Sequence, residues 1–204
     1  MDDYFIENQG DNWAGVDEVG RGAIFGIVVA AAVILPSSAA LVLYTAGVKD
    51  SKKLSGLKRT ELDRLIRQVA IDSQVGLATV AEIASLNILE ASLLAMERAI
   101  AKLNPVPSHC LIDGNQLLRF RELSPLPQSS LVRGDSLSLA IASASIVAKV
   151  WRDQHICEQA KLYPGYGLEQ NKGYGTARHI AAIKELGFTD QHRPFKISAL
   201  AQDD

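Results

Sequence analysis

The spacing of apolar residues along the chain predicts an initial hairpin followed by alternating helices and strands. Short apolar runs predict strands, and apolar residues at helical spacing predict helices. The expected strands cover about residues 13–17, 26–35, 75–80, 109–112 and 129–132, and the expected helices about 56–71, 87–104, a long segment opened by 134–136, and 177–186. This order predicts one α/β domain, residues 13–198, with a mixed sheet, flexible ends at 1–12 and 199–204, and a small helical C-terminal part from about residue 163.

The apolar stretch from Trp13 to Pro36 contains two adjacent acids, Asp17 and Glu18, with glycines after them. An ionised carboxylate is costly to bury alone, so a buried pair needs a cation or strong hydrogen-bond donors. Successive strand residues point to opposite faces, so both acids reach one ion only if the strand ends or bulges there. The glycines permit such a bend and let another molecule approach the backbone.

Two other interpretations compete for this stretch. A dinucleotide fingerprint also places glycines after a strand, but it requires a helix next, whereas residues 24–35 are rich in β-branched side chains and end at Pro36. A plain hairpin whose acids cap a turn is common for acids near glycine. From this stretch alone, the functional and the hairpin interpretations are equally supported.

Composition limits the class of protein. The 204 residues, 48% hydrophobic and 22% charged, suit one globular domain with a core. The formal net charge of −2 means that nucleic-acid binding would depend on local basic patches. Cys110 and Cys157 are far apart and lack metal-ligand spacing, so we expect reduced thiols of a cytoplasmic protein. The N-terminus lacks the features of a secretion signal, and no apolar run is long enough to predict a membrane span.

Two further acids sit at the ends of predicted elements. Asp113 ends the fourth strand and Asp135 opens the long helix. In open α/β sheets the functional crevice lies beyond the carboxyl ends of the strands, so these acids are expected to converge with Asp17 and Glu18. Oxygen ligands without His or Cys favour Mg²⁺ or Mn²⁺ over zinc. Singly, Asp113 is explained by a turn and Asp135 by a helix N-cap, but the four together favour a metal site.

Several blocks of the sequence resemble ribonuclease HII, the type 2 ribonuclease H of bacteria. They are GVDEVGRG, DSKKLS, LIDGN, RGD followed by ASASIVAKVWRD, YPGYG, NKGYGTARH and HRPF. They occur in the family's order and span most of the chain. The resemblance implies a ribonuclease H-like fold, with a five-stranded mixed sheet flanked by helices and a small helical C-terminal part.

The resemblance also implies roles for individual residues. The implied catalytic and metal-binding acids, which would hold two Mg²⁺ or Mn²⁺ ions, are Asp17, Glu18, Asp113 and Asp135. The implied substrate-binding residues are Gly20, Arg21, Gly22, Lys52, Lys53 and Tyr174. The two lysines are expected to contact phosphate, with Lys149 and Arg152 as further candidates, while the turn and the tyrosine are expected to recognise a ribonucleotide followed by a deoxynucleotide. A glycine backbone can approach a 2′-hydroxyl, and a tyrosine ring can stack on a sugar.

The implied activity is hydrolysis of the RNA strand of RNA/DNA hybrids and nicking on the 5′ side of ribonucleotides embedded in duplex DNA. A two-metal mechanism would leave a 3′-hydroxyl and a 5′-phosphate. We expect a cytoplasmic monomer. Residues 116–120 loosely resemble a bacterial sliding-clamp peptide, which predicts a weak clamp contact.

Two alternatives to this activity stay open at the level of sequence. The related ribonuclease HIII carries an N-terminal substrate-binding domain, and only about a dozen residues precede Trp13 here. A non-catalytic module that binds hybrids would keep the fold without turnover. Intact acids at all four positions argue against that module, and a metal titration would test it.

Overall fold

A computed structural model describes residues 12–48 and 54–194 of the chain. In these ranges the strands are β1 Trp13–Val19, β2 Val28–Ile34, β3 Asp72–Ala78, β4 His109–Asp113 and β5 Gln128–Leu131. The α-helices are α1 Ala40–Ala46, α2 Gly56–Val69, α3 Val80–Leu86, α4 Ile88–Ile100, α5 Leu139–Gln159, α6 Leu168–Asn171 and α7 Ala177–Leu186. Short 3₁₀ turns occupy Ser37–Ala39 and Gly134–Ser136. None of these helices is both long and apolar enough to cross a membrane.

The five strands form one mixed sheet in the order β3-β2-β1-β4-β5. β2 runs antiparallel to both β1 and β3, while β4 runs parallel to both β1 and β5. β1 is therefore the central strand, and its carboxyl end lies beside that of β4. The predicted α/β architecture with a mixed sheet of five strands is confirmed.

Helices pack on both faces of the sheet because the side chains of β2 alternate. Ala30, Ala32 and Ile34 lie in one core with α4, and their neighbours in sequence lie in the other with α2 and α5. Gly15 brings α5 close, since a Cβ there would lie 2.2 Å from the carbonyl carbon of Ala140. The small side chains that the sequence places on this helix thus allow it to rest on the backbone of β1.

The C-terminal helical part holds the segment that follows β1. Its apolar cluster joins Phe25 to α5, α6 and α7. The amide groups of Ile24 and Phe25 donate to the carbonyl of Gly173 at 2.9 and 3.2 Å, and that of Gly26 donates to Gln191 at 2.8 Å. The segment between β1 and β2 is therefore fixed by residues far away in sequence.

β1 differs from the sequence-based expectation at its carboxyl end. Its ladder with β2 continues without interruption through Asp17, Glu18 and Val19. The predicted strand end or bulge at the acids is therefore wrong, because pairing with β2 keeps the backbone extended past both of them. Regular alternation then sends Asp17 and Glu18 to opposite faces of the sheet.

The start of the long helix also differs. The segment 134–136 forms a separate 3₁₀ turn, and Ser138 caps α5 by accepting from the amide of Ile141 at 3.3 Å. Asp135 is therefore not the N-cap of this helix. Helices α1 and α3 were not predicted, and β3 begins at Asp72, earlier than expected. Apart from Asn12, the predicted flexible ends lie outside the described residues.

Candidate active site

The parallel pairing of β1 with β4 brings two distant acids together. The register pairs Val16 with Ile112, so the next residues, Asp17 and Asp113, lie side by side at the carboxyl ends of the two strands. Glu18 follows on β1. The structure thus brings together Asp17 and Asp113, because β1 and β4 are parallel neighbours in the sheet; the convergence of all four acids remains a prediction.

Asp17 is the most deeply buried of these acids, with 6% of its surface exposed. Burial raises its pKa well above the ordinary value, and the negative charges of Glu18 and Asp113 raise it further. Hydrogen bonds from Ser145 and from the amide of Glu18, the latter at 2.7 Å, act in the opposite direction. Burial and repulsion outweigh these donors. Ser145, a residue of α5, was not predicted to contact the acids.

Glu18 connects the acids to the turn that follows β1. Burial raises its pKa, the charge of Arg21 lowers it, and the charge of Asp113 raises it. The Nη1 atom of Arg21 lies 3.3 Å from Oε1 of Glu18. This ion pair provides partial compensation for a carboxylate that is otherwise among like charges.

Asp113 is oriented by the 3₁₀ turn that precedes α5. The amide of Gly134 donates to Oδ1 of Asp113 at 2.7 Å. A Cβ at Gly134 would lie 2.5 Å from Cδ1 of Ile141 and 3.2 Å from Oδ1 of Asp113, so this glycine lies directly against the acid. Asp135 comes next in the chain, half-buried, with its Oδ1 3.5 Å from the hydroxyl of Ser136.

The ligand atoms of these acids suit a hard cation, but their positions in the structure do not form a metal site. Within residues 12–48 and 54–194, no three side chains of the His, Cys, Asp or Glu type are placed to hold a metal ion. Asp17 and Glu18 leave a regular strand on opposite sides, which explains why the carboxylates do not meet at one point. The donors are nevertheless all carboxylate oxygens whose repulsion a divalent cation would relieve, and such a set suits Mg²⁺ or Mn²⁺.

The turn after β1 contains two glycines with different surroundings. Gly20 has φ +94°, and a Cβ there would lie 2.3 Å from Nε of Arg152, so the fold itself requires glycine. A Cβ at Gly22 would meet nothing within 4 Å. Gly22 therefore leaves an open approach to the backbone from outside.

Two buried arginines support this turn from behind. Arg193, 6% exposed, donates through Nη1 to the carbonyls of Gly20, Arg21 and Ala23 at 2.6, 3.2 and 2.9 Å. Its other nitrogens donate to carbonyls of residues 26 and 27. Arg193 belongs to the HRPF block, but nothing in the sequence around it indicates a contact with the turn.

Arg152 has the same structural role, so its expected contact with phosphate is wrong. The side chain is fully buried, at 0% exposure. It donates to the carbonyls of Phe25 and Ile27, both at 3.1 Å, and of Lys172 at 2.9 Å. Packing of α5 against the sheet turns Arg152 inward, away from solvent.

Tyr174 lies beside the same turn; its substrate-binding role remains a prediction. It forms an antiparallel bridge with Ala23. The Nζ atom of Lys149 lies 5.3 Å from the centre of its ring, and Cζ of Arg152 lies 5.5 Å from it. Lys149 is also paired with Asp153 at 2.8 Å, so this lysine is already engaged within the protein.

The remaining predicted positions have separate outcomes. Lys52 and Lys53 lie outside the described residues. In the clamp-like segment, Leu118 is buried and its backbone exchanges two hydrogen bonds of 2.8 Å with the side chain of Gln128. Phe120 packs against the core, so this segment is not a free linear peptide.

The two cysteines are free, and burial raises the pKa of Cys110 to about 12.

The fold, together with acids at the ends of adjacent parallel strands, defines the class of protein. The solved ribonuclease H2 of Pyrococcus horikoshii OT3 superposes with a TM-score of 0.76 and 26% identity, covering 92% of this chain and 95% of that one. An Archaeoglobus fulgidus RNase HII, solved in complex with PCNA, gives 0.73 and 26% over 89% and 91%. The fold is that of the ribonucleases H.

Sequence comparison specifies the family within this class. The family profile described as Ribonuclease HII matches residues 14–198. The chain is 57% identical to Ribonuclease HII of Trichodesmium erythraeum, over 88% of this chain and 84% of that protein. It is 54% identical to that of Acaryochloris marina over 92% and 93%, and 49% identical to that of Rhodospirillum rubrum over 95% and 88%.

The chain belongs to the ribonuclease HII family, which confirms the resemblance found in the sequence. Its activity is that of a ribonuclease H, an endonuclease that acts on RNA/DNA hybrids. The match to ribonuclease HII over most of the chain also decides between this family and ribonuclease HIII.

Proposed function

We propose that this ribonuclease H also nicks duplex DNA on the 5′ side of single embedded ribonucleotides, leaving a 3′-hydroxyl and a 5′-phosphate. The observation that carries the proposal is the direct connection between the acids and the turn. Glu18 belongs to the acidic group formed with Asp17 and Asp113. Its ion pair with Arg21 connects this group to the turn that Tyr174 borders. A ribonucleotide held at the turn would thus place its phosphodiester beside the carboxylates.

We assign the metal ligands to the four acids Asp17, Glu18, Asp113 and Asp135. Two bound Mg²⁺ or Mn²⁺ ions would supply an activated water and stabilise the leaving 3′-oxygen. The protein's part is to orient the carboxylates: Ser145 and the Glu18 amide hold Asp17, and the Gly134 amide holds Asp113.

Recognition of the ribonucleotide is assigned to the turn and to Tyr174. The open side of Gly22 gives a 2′-hydroxyl room to approach the backbone, and this group distinguishes RNA from DNA. Arg21 is about half exposed and can contact a phosphate while paired with Glu18. We assign phosphate contacts to Lys52 and Lys53 as well, from the DSKKLS block.

The test is cleavage of an end-labelled DNA duplex with one internal ribonucleotide, beside an RNA/DNA hybrid, in Mg²⁺, Mn²⁺ or EDTA. We expect metal-dependent cutting of both, with the duplex cut immediately 5′ of the ribonucleotide. Cutting of the hybrid alone would refute the recognition assigned to the turn and leave the acids in place. If neither substrate is cut under any condition, the chain is a binding module that lacks turnover.

We further propose a weak contact with the bacterial sliding clamp through residues 116–120. Support comes from the Archaeoglobus fulgidus RNase HII, which was solved in complex with PCNA. Leu117 is exposed and Phe120 is packed, so a clamp that binds the segment as folded touches Leu117 first. In a pull-down with purified clamp, Leu117→Ala should weaken capture more than Phe120→Ala. Equal capture of both variants and the unmodified protein would exclude this segment.

We propose a cytoplasmic monomer. The two free cysteines support a reducing compartment. Light scattering of the purified protein tests the monomer directly, and a mass of two chains would contradict it.

A further inference from the structure

Two histidines from different parts of the C-terminal segment form a buried pair behind Tyr174. His179 lies in α7 with 0% exposure, and His192 lies beyond that helix with 7%. Their Nε2 atoms are 3.3 Å apart. The aromatic rings of Phe25 and Tyr166 pack around them, with centroids 5.0 and 5.1 Å from that of His192.

The outer partners of the pair determine where each proton lies. Nδ1 of His192 is 2.9 Å from both the amide and the hydroxyl of Thr189, and because the amide can only donate, this nitrogen carries no proton. Nδ1 of His179 is 2.9 Å from the carbonyl of Tyr174, which can only accept, so this nitrogen carries one. Both rings are neutral in this arrangement, because a bare Nδ1 excludes a charged His192, and two protonated Nε2 atoms could not share a hydrogen bond. Burial lowers the pKa of each ring, which favours the same state.

These two assignments make the central contact consistent. A neutral His192 without a proton on Nδ1 carries it on Nε2, and a neutral His179 with a proton on Nδ1 has a bare Nε2. The bond between the rings therefore runs from His192 to His179. The result is a chain of hydrogen bonds in one direction, from the Thr189 amide through both imidazoles to the Tyr174 carbonyl.

The chain connects the two elements assigned to ribonucleotide recognition. At one end it holds the backbone of Tyr174, which bridges to Ala23 at the turn. At the other end His192 forms a bridge with Phe25, and the amide of Arg193 donates to the carbonyl of Ile24 at 2.8 Å. A shift of either histidine would thus move the tyrosine relative to the turn.

We propose that His179 and His192 are positioning residues for ribonucleotide recognition, which fix the Tyr174 backbone relative to the Gly20–Gly22 turn. The inference rests on the proposed nicking of embedded ribonucleotides. The histidines contact no substrate themselves. They act by holding a single geometry of ring and turn, and small misplacements at such sites reduce turnover more than binding.

The proton positions can be measured without any activity. Two-dimensional ¹⁵N–¹H NMR of labelled protein at neutral pH distinguishes the two neutral tautomers of histidine and the charged ring. We expect His192 protonated on Nε2 and His179 protonated on Nδ1. The opposite tautomer at either residue, or a charged ring, would overturn the hydrogen-bond chain.

The positioning role is tested by replacing the donor to Tyr174. His179→Leu removes it, whereas His179→Asn keeps an amide donor near the Nδ1 position. We expect the leucine variant to lose about 10-fold or more in kcat on the single-ribonucleotide duplex, with KM nearly unchanged and less loss on the hybrid. The asparagine variant should stay within about threefold of the unmodified protein on both. The matched control, His155→Leu on α5, should leave the cleavage of both substrates unchanged.

Three outcomes separate the possible failures. Equal loss on both substrates, or equal loss in the leucine and asparagine variants, would show a purely structural role and overturn the proposal. If His179→Leu does not fold, His179→Gln replaces it, because glutamine places its donor near Nε2 and should behave like leucine. If the unmodified protein leaves the single-ribonucleotide duplex uncut, the proposed function fails together with the recognition role, while the NMR result still reports whether the chain of hydrogen bonds exists.

Discussion

The turn after β1 lies between two arginines, Arg152 and Arg193, and three acids, Asp17, Glu18 and Asp113. The two sets differ in what compensates their charges. Every guanidinium nitrogen of Arg152 and Arg193 donates to a backbone carbonyl. Burial still lowers the pKa of Arg193, to about 10. On the other side, Asp17 receives hydrogen bonds from Ser145 and from an amide, yet burial and two neighbouring carboxylates raise its pKa well above the ordinary value.

The difference separates scaffold from chemistry. Backbone carbonyls of residues 20–27 surround Arg193, and carbonyls of Phe25, Ile27 and Lys172 surround Arg152, so the pair fixes this segment with its donors satisfied. Neutral donors cannot remove the repulsion among three carboxylates, and a cation can. The arginines, whose hydrogen bonds the fold satisfies, therefore have a structural role. The carboxylates, whose repulsion the fold leaves in place, are the residues to which we assign the metal.

The largest expected effect comes from removing a charge on the acidic side. Asp17→Asn keeps the volume and removes a carboxylate that we assign as a metal ligand, so we expect cleavage to fall by about 10³-fold or more in Mg²⁺ or Mn²⁺. The raised pKa of Asp17 means that its charge destabilises the folded state at neutral pH, so the free energy of unfolding should stay equal or increase. Cleavage assays and urea unfolding measure the two effects.

A matched substitution elsewhere controls for the loss of a buried acid. Asp63 is also buried with a raised pKa, caused by burial, but it is paired with Arg67 at 3.0 Å on α2. Asp63→Asn should leave cleavage unchanged. Normal cleavage by Asp17→Asn, or equal inactivation of both variants, would contradict the distinction between the acidic group and other buried acids.

On the arginine side the expected effect is on stability. Arg193→Met removes the donor that the carbonyls of Arg21, Ala23 and Gly26 share, in a buried setting. Because buried acceptors without donors are costly, the free energy of unfolding should fall by about 3 kcal/mol or more. Urea unfolding measures it, and the exposed Arg178→Met should shift it by less than about 0.5 kcal/mol. A small shift in Arg193→Met would mean that the loop does not depend on this side chain.

Sequence patterns predicted the positions of the acids better than the roles of the buried arginines that support the turn. Asp17, Glu18 and Asp113 were recognisable because ionised residues in apolar strands are unusual and because parallel strands end at one edge. The roles of Arg152 and Arg193 were not, because their partners are backbone carbonyls, which no side-chain pattern encodes. The unbroken pairing of β1 was missed for the same reason, since it depends on the neighbouring strand rather than on the local sequence.

The two glycines of the turn give a smaller and more selective test. Gly20→Ala forces a side chain into a left-handed backbone and toward Arg152, so we expect about 1–2 kcal/mol or more of lost stability. Gly22→Ala meets no atom within 4 Å, so stability should be unchanged while nicking at a single ribonucleotide slows by about 10-fold. Thermal unfolding with paired cleavage assays separates the variants. Full nicking activity in Gly22→Ala would show that the substrate does not approach there.

The smallest expected effect concerns acidification, which should change the contributions of His192 and Asp17 to the free energy of unfolding in opposite directions. His192 lies near the arginine side, and burial, with a smaller contribution from His179, lowers its pKa from 6.5 to about 4. The unfolded chain therefore binds the proton first, and the stability that neutral His192 contributes is lost as pH falls from about 6.5 to about 4. Asp17 has a raised pKa, so its contribution increases as pH falls through that raised value. Between pH 7 and pH 4.5, urea unfolding should show the unmodified protein losing stability relative to His192→Asn. Over the same range the unmodified protein should gain stability relative to Asp17→Asn. A gap to His192→Asn that does not change with pH would mean that His192 is not held neutral in the folded protein.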